Sequence, residues 1–279
     1  MVSEPSGSAE SMEYASVEGL SVRLDGAVLR CTLDRPKTRN SLDPDMMVGL
    51  IRALETSGTD ERVRVIVLDG TGGSFCAGAD IVARNAPTEQ RPRVGSIQRR
   101  LPVQANRLMQ MMLSVQTPIV AKVDGWAAGI GFHLALAADF CVAADTARFW
   151  EPFLTRGFTP DSGGVWLLQR LGGVALARDL VLLGRELTGA EAAEYRLIHR
   201  AVPEAELDAA TDALVADLAA KPTVALGLAK WLMFQSWTVP FDQHLANEAF
   251  AMELSSRSED FREGFSAWRE KRDPEFRGR

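Results

Sequence analysis

The chain has 279 residues, of which 46% are hydrophobic and 24% are charged, as in ordinary globular proteins. A formal net charge of −6 argues against a nucleic-acid-binding surface. The three cysteines, Cys31, Cys76 and Cys141, are far apart in the sequence, which argues against a disulfide framework or a zinc site.

Two segments of the sequence indicate where the protein is located in the cell. Residues 1–17 are rich in Ser, Glu and Gly and have no apolar run, so we expect a flexible tail rather than a signal peptide. The apolar stretch 125–144 is interrupted by His133, Asp139 and glycines, which indicates a buried core segment rather than a membrane span. We therefore expect a cytoplasmic protein without membrane contact.

In chain order, the first part of the sequence alternates strand and helix patterns. Two strands over 21–33 flank the turn pair Asp25-Gly26, a strong hairpin signal. Apolar periodicity then predicts further elements in the order helix, strand, helix, strand, helix, strand: 44–54, 63–68, 101–115, 118–123, 131–138 and 140–144. This alternation predicts an α/β fold.

From about residue 203 onward only helical patterns remain. They cover four segments: 204–220, 223–236, 241–256 and 259–271. We therefore divide the chain into a tail (1–17), an α/β core (18–200) and a helical C-terminal region (201–279).

Two segments, 74–80 and 125–131, each place a glycine-containing turn after an apolar strand. Two backbone N–H groups presented there could stabilise a developing oxyanion, worth about 3–4 kcal/mol per donor. The alternative is that both are simply tight connections. Neither turn matches a phosphate-binding loop or a dinucleotide fingerprint.

Three ordered motifs connect these turns with a known family. They are DRPKTRNSL at 34–42, FCAGAD at 75–80 and DGWAAGIG at 124–131. Together they resemble the coenzyme A loop and the two oxyanion turns of the crotonase (enoyl-CoA hydratase/isomerase) superfamily. The resemblance extends from about residue 20 to the C-terminus.

The resemblance implies a crotonase-like spiral of ββα units, with a helical C-terminal region that mediates trimer contacts. It also implies an acyl-CoA or enoyl-CoA substrate, a homotrimer or dimer of trimers, and no metal or separate cofactor. The backbone N–H groups of Ala79 and Ile130 would form the oxyanion hole. Ile130 replaces the usual glycine, so the hole depends on a backbone conformation that a β-branched residue accepts.

The same resemblance suggests residues that contact coenzyme A. Lys37 and Arg39 would meet its phosphates, although exposed basic side chains are commonly only solvated. Lys271 would reach the site of a neighbouring subunit, and the polar loop over 81–100 would border the acyl pocket. The remaining expected contacts are Ala77 and Asp80.

Hydratases of this family use two glutamates to activate water, and by register they would fall at His133 and Phe153. Neither position holds a carboxylate, which disfavours ordinary hydration. Glu151 lies two positions before Phe153, and Pro152 supports the register.

Asp161 is then the candidate acid/base. Its position resembles the catalytic aspartate of family isomerases, including phenylacetate-pathway enoyl-CoA isomerases. The alternative is an N-cap for a helix that begins near residue 163. His133 is predicted in the first turn of a helix, where the dipole disfavours an imidazolium, so a neutral ring could donate to substrate or to Asp161, or accept a proton. The alternative is a buried structural histidine.

Three hypotheses follow. The leading one is an enoyl-CoA isomerase that shifts a double bond by proton transfer through Asp161, with His133 in support. The second is water addition or hydrolysis on a specialised acyl-CoA. The third is an acyl-CoA-binding protein without catalysis.

Overall fold

The computed structural model describes residues 14–80 and 93–279. Most of the predicted tail, and most of the 81–100 loop with its expected contact to the acyl pocket, lie outside the described residues. Tyr14 is the first described residue, and its hydroxyl donates a 3.0 Å hydrogen bond to Asp60. The last residues of the predicted tail therefore contact the core.

A six-stranded sheet forms the centre of the fold. Strands β1 and β2 are the predicted antiparallel hairpin, and the other neighbours in the order β1-β2-β3-β4-β6-β9 are parallel. The strands of this sheet are β1 Leu20–Asp25, β2 Val28–Leu33, β3 Val65–Gly70, β4 Ile119–Val123, β6 Phe140–Ala144 and β9 Arg200–Val202.

A smaller sheet has three strands in the order β5-β7-β8. Its strands are β5 Trp126–Ala128, β7 Arg148–Trp150 and β8 Leu187–Thr188. Because β4 leads into β5 and β6 leads into β7, successive turns of the chain contribute one strand to each sheet. This is the spiral of ββα units that the sequence indicates.

Ten α-helices accompany the sheets in the described residues. They are α1 Pro44–Ser57, α2 Ser96–Arg100, α3 Ala105–Ser114, α4 Ile130–Ala137, α5 Gly164–Leu182, α6 Gly189–Glu194, α7 Leu207–Ala219, α8 Thr223–Gln235, α9 Phe241–Ser255 and α10 Glu259–Glu270. The helix predicted over 101–115 is interrupted, since a short 3₁₀ segment at Leu101–Val103 precedes α3. The four predicted C-terminal helices are all present as α7 to α10.

Helix α4 lies in the centre of the core, and all eight of its residues are buried. This explains its continuous apolar sequence, because a helix enclosed on every side needs no polar face. In the described part of the chain, no helix has the length and apolar character needed to cross a bilayer. The segment 125–144 therefore forms core elements, as predicted.

The three cysteine thiols are separate and buried. Loss of solvation raises the pKa of Cys31 and Cys76 to about 12 and also raises that of Cys141. The thiolate is the reactive form, so these side chains act as small apolar groups in the native protein.

The chain end is fixed against α10 by a buried carboxylate. Asp260 accepts hydrogen bonds from the backbone N–H groups of Arg277 at 2.7 Å and Gly278 at 2.8 Å. Arg64 donates to the Phe276 carbonyl at 3.1 Å. The last residues are thereby joined to the N-terminal side of β3.

Candidate active site

The two glycine turns are joined directly through their backbones. The Cys76 N–H donates to the Trp126 carbonyl at 2.7 Å, and the Ala128 N–H donates to the Cys76 carbonyl at 2.9 Å. A Cβ on Gly131 would lie 2.2 Å from the Cys76 carbonyl oxygen. Glycine is therefore required at Gly131 because the two turns are in contact there.

The proposed oxyanion donors lie on this joined pair of turns. Leu42 donates to the Gly78 carbonyl and accepts from Asp80, so the N–H of the intervening Ala79 is directed away from Leu42. Ile130 is the first residue of α4, where a helix leaves its N–H groups without an internal acceptor. Among the described residues, neither N–H group has a hydrogen-bond acceptor.

The substitution of isoleucine for glycine at position 130 is accommodated by the preceding residue. Gly129 takes the left-handed φ of 52°, and Ile130 itself is helical. A β-branched residue accepts helical angles, so Ile130 retains its N–H at the start of α4.

Asn40 holds the 34–40 loop against the first glycine turn, a role that the sequence analysis did not assign. Its side chain is fully buried and donates to the Thr71 carbonyl at 2.9 Å and the Ser74 carbonyl at 2.6 Å. It also accepts from the Arg35 N–H at 2.8 Å. An asparagine within the family-like motif was the available signal.

The residues predicted to contact coenzyme A have different surroundings. Lys37 and Arg39 are exposed, and the Arg39 guanidinium lies 5.8 Å from the centre of the Trp126 ring. Ala77 donates its N–H to the Arg39 carbonyl at 2.9 Å. The loop therefore places two cationic side chains beside the first turn.

Asp80 and Lys271, the other predicted coenzyme A contacts, lie in different environments. Asp80 is buried and forms a 3.0 Å ion pair with Arg35, so its carboxylate already has a structural partner within the chain. Lys271 is exposed at the C-terminal cap of α10.

His133 and Glu151 form a buried pair. The His133 Nε2 lies 2.9 Å from the Glu151 Oε1, and the two side chains are 0% and 1% exposed. Within residues 14–80 and 93–279, the His133 Nδ1 and the Glu151 Oε2 have no hydrogen-bond partner. Glu151 had no predicted role, because its contact with His133 joins residues 18 apart in the sequence.

The Phe153 ring is stacked parallel to the same imidazole. The two rings are parallel within 4°, with centroids 5.8 Å apart. The Phe153 ring also lies 3.6 Å from the position of a Cβ on Gly129. An aromatic ring, at the position that the resemblance assigns to the second hydratase glutamate, thus lies close to the turn that carries Ile130.

Asp161 lies in the connection that leads into α5, and it is only partly buried. Its Oδ1 accepts a 2.7 Å hydrogen bond from the Ser162 hydroxyl. The alternative role as an N-cap is wrong, because Gly163 occupies the cap position and no side chain donates or accepts there. The Asp161 side chain therefore does not cap α5.

The start of α5 brings the Asp161 segment next to His133. A Cβ on Gly164 would lie 2.1 Å from the His133 Nε2, and the Gly164 N–H donates to the Asp161 carbonyl at 3.2 Å. Asp161, His133 and the α4 N-terminus consequently belong to one region. In the parts of the chain that are described, no group of His, Cys, Asp or Glu could hold a metal ion.

The fold and the two joined glycine turns are those expected for the crotonase superfamily, and comparison with known proteins identifies the same family. The model of the enoyl-CoA hydratase/isomerase family matches residues 23–279. The crystal structure of an enoyl-CoA hydratase from Bacillus anthracis superimposes with a TM-score of 0.86 at 30% identity, covering 94% of this chain and 100% of that one.

Two relatives from Escherichia coli have different named activities. This chain is 37% identical to a 1,2-epoxyphenylacetyl-CoA isomerase, covering 92% of this chain and 97% of the relative. It is 34% identical to a 2,3-dehydroadipyl-CoA hydratase, covering 90% and 96% respectively. The chain belongs to the enoyl-CoA hydratase/isomerase family of the crotonase superfamily and is an acyl-CoA-transforming enzyme.

Proposed function

We propose that this enzyme is an enoyl-CoA isomerase that shifts a double bond by proton transfer through Asp161. The observation that carries the proposal is the occupancy of the two hydratase positions. His133 stands at the first and Phe153 at the second, and a phenyl ring transfers no proton. A single carboxylate, that of Asp161 in the segment that leads to Gly164 next to His133, is sufficient for isomerisation, which requires no added water.

The proposed reaction uses the two turns as an oxyanion hole. Asp161 removes a proton from the carbon α or γ to the thioester, and the C–H electron pair forms an enolate whose oxygen accepts from Ala79 and Ile130. The same carboxyl group returns the proton to the other carbon. Each oxyanion donor contributes about 3–4 kcal/mol of transition-state stabilisation.

Substrate binding in this proposal depends on coenzyme A and on other subunits. Lys37 and Arg39 pair with its phosphates, and Ala77 and Asp80 contact it from the adjoining first glycine turn. The exposed aromatic residues of α9 and α10 supply subunit contacts in a homotrimer or a dimer of trimers, where Lys271 reaches the neighbouring coenzyme A. No cofactor beyond the substrate's own coenzyme A is required.

The substitution Asp161→Asn tests the mechanism. Removing an acid/base group should lower isomerase turnover about 10²–10⁴-fold. The measurement is deuterium exchange from D₂O into a panel of enoyl-CoA esters, with double-bond position followed in the same samples. Asp179→Asn, a partly exposed aspartate on α5 with a 3.9 Å contact to Arg185, is the matched control and should keep both rates. Full exchange and turnover in Asp161→Asn would exclude Asp161 as the base.

Water addition is the second candidate, and the buried His133–Glu151 pair is the observation that favours it. An imidazole held by a carboxylate is a common base for activating water. Solvent labelled with ¹⁸O distinguishes the two reactions, because an isomerase incorporates none of the label into its product. Tight binding of the esters with neither exchange nor incorporation would indicate a protein that binds acyl-CoA without catalysis.

A further inference from the structure

The His133–Glu151 pair limits what the imidazole can do. Three roles are open to a neutral histidine at this position: donation to substrate, donation to Asp161, and acceptance of a proton. Both side chains are at least 99% removed from solvent, and in the described part of the chain their mutual hydrogen bond is the only one that they make. A buried pair of this kind is costly unless it has a defined arrangement.

The position of the shared proton follows from the surroundings. A carboxylate in this interior needs a donor, and the His133 Nε2 is the one within 2.9 Å. His133 is the fourth residue of α4. Because a carboxylate can only accept a hydrogen bond, a neutral imidazole in this pair carries its hydrogen on Nε2, directed at Glu151, and leaves its lone pair on Nδ1.

We infer that Glu151 is a positioning residue that fixes this tautomer and thereby makes His133 a proton acceptor through Nδ1. The Nε2 hydrogen is committed to Glu151, so neither donor role remains for the ring. The stacked Phe153 and the close Gly164 prevent ring rotation, since Gly164 leaves no room for even a methyl group beside Nε2.

This inference rests on the proposed function for its chemical consequence. The Nδ1 lone pair would accept the proton that Asp161 has removed from carbon, and Glu151 would neutralise the imidazolium through the Nε2 hydrogen. The proton would then pass back to Asp161 and on to the other carbon, which restores the neutral pair. His133 would thus hold the proton between the two transfers that Asp161 makes.

The tautomer can be measured without any activity. The chain contains three histidines, so protein labelled with ¹⁵N in the imidazole rings gives three sets of signals, and His133→Gln identifies the relevant set. In the wild type at pH 7 we expect a protonated Nε2 and an unprotonated Nδ1. Glu151→Gln should move the proton to Nδ1 in part or in full, because an amide can donate to Nε2. A protonated Nδ1 in the wild type, or identical signals in Glu151→Gln, would overturn the inference.

Kinetics then test whether the positioning matters for turnover. Glu151→Gln should lower kcat at least about tenfold, and it should have little further effect in a His133→Gln background, because Glu151 acts through the histidine. Glu151→Asp keeps the carboxylate and should recover part of the loss. Glu194→Gln, an exposed glutamate on α6, is the matched control.

The two assays separate this inference from the proposed function. Glu151 would be only structural if two results were found together. The kcat losses of Glu151→Gln and His133→Gln would add up in the double variant, and the imidazole signals of Glu151→Gln would match those of the wild type. Correct imidazole signals in an enzyme that shows no Asp161-dependent exchange would leave the tautomer intact and refute the isomerase mechanism. Melting temperatures of all variants show which of them remain folded.

Discussion

The core that carries the site and the C-terminal helices bury their apolar side chains to very different extents. In α4 every side chain is buried, whereas in α9 only Ala251 is. Phe241 on α9 is 76% exposed, and Trp268 on α10 is also 76% exposed. Exposed aromatic surface of this kind is typical of an interaction surface. The core thus buries its apolar side chains within one chain, whereas α9 and α10 leave aromatic side chains exposed, as the proposed assembly with other chains requires.

The largest expected effect comes from the contact between the two turns. Gly131→Ala places a methyl group 2.2 Å from the Cys76 carbonyl oxygen, so one turn must move. We expect a loss of about 3 kcal/mol in the free energy of unfolding, measured by urea denaturation. Gly58→Ala is the matched control, because its Cβ makes only ordinary contacts, and it should change stability by less than about 1 kcal/mol. Equal effects would mean that the turns are not tightly joined.

An intermediate effect is expected at the C-terminal face, and on assembly rather than folding. Phe250 on α9 is 59% exposed, so Phe250→Ser removes little packing within one chain. We expect sedimentation to show a smaller assembly at equal protein concentration, with helix content unchanged. Ala246→Ser on the same helix removes no aromatic ring and should keep the wild-type mass. A wild-type protein that sediments as a monomer would contradict the proposed trimer.

The smallest effect concerns acid sensitivity at the edge of the core. The Arg62 side chain donates to Asp60 and lowers the pKa of that carboxyl from 3.8 to about 2. Because the folded-state pKa is depressed, the stabilisation is present above pH 4 and is lost as the pH falls toward 2. The difference in melting temperature between wild type and Asp60→Asn should therefore become smaller as the pH is lowered from 4 to 2. Tyr14→Phe keeps the Arg62 contact and should retain the acid dependence; a constant difference for Asp60→Asn would refute the assignment.

Most regular elements of the fold could be predicted because their signals are local. The Asp25-Gly26 hairpin needs only its own turn residues, and helices α7 to α10 follow from apolar periodicity. Strands β5, β7, β8 and β9 were not predicted. They have two or three residues each, too few for a period, and they exist because partner strands are already in place.

The site divides in the same way. Both glycine turns could be found because a close backbone approach requires small residues at fixed positions. The Glu151 contact could not, since it joins residues 18 apart through the geometry of β7 and α4. Asn40 was visible within a motif, but its bonds to the Thr71 and Ser74 carbonyls depend on how β3 ends. The division into tail, core and C-terminal region stays a prediction.

The buried cysteines have a further consequence for how this enzyme can be observed. A thiol that is enclosed and held in its neutral form reacts with an alkylating reagent only while the surrounding structure is open. Cys76 belongs to the first glycine turn, Cys31 to the N-terminal hairpin and Cys141 to β6. The separate labelling rates of these three thiols therefore report how often each part of the core opens.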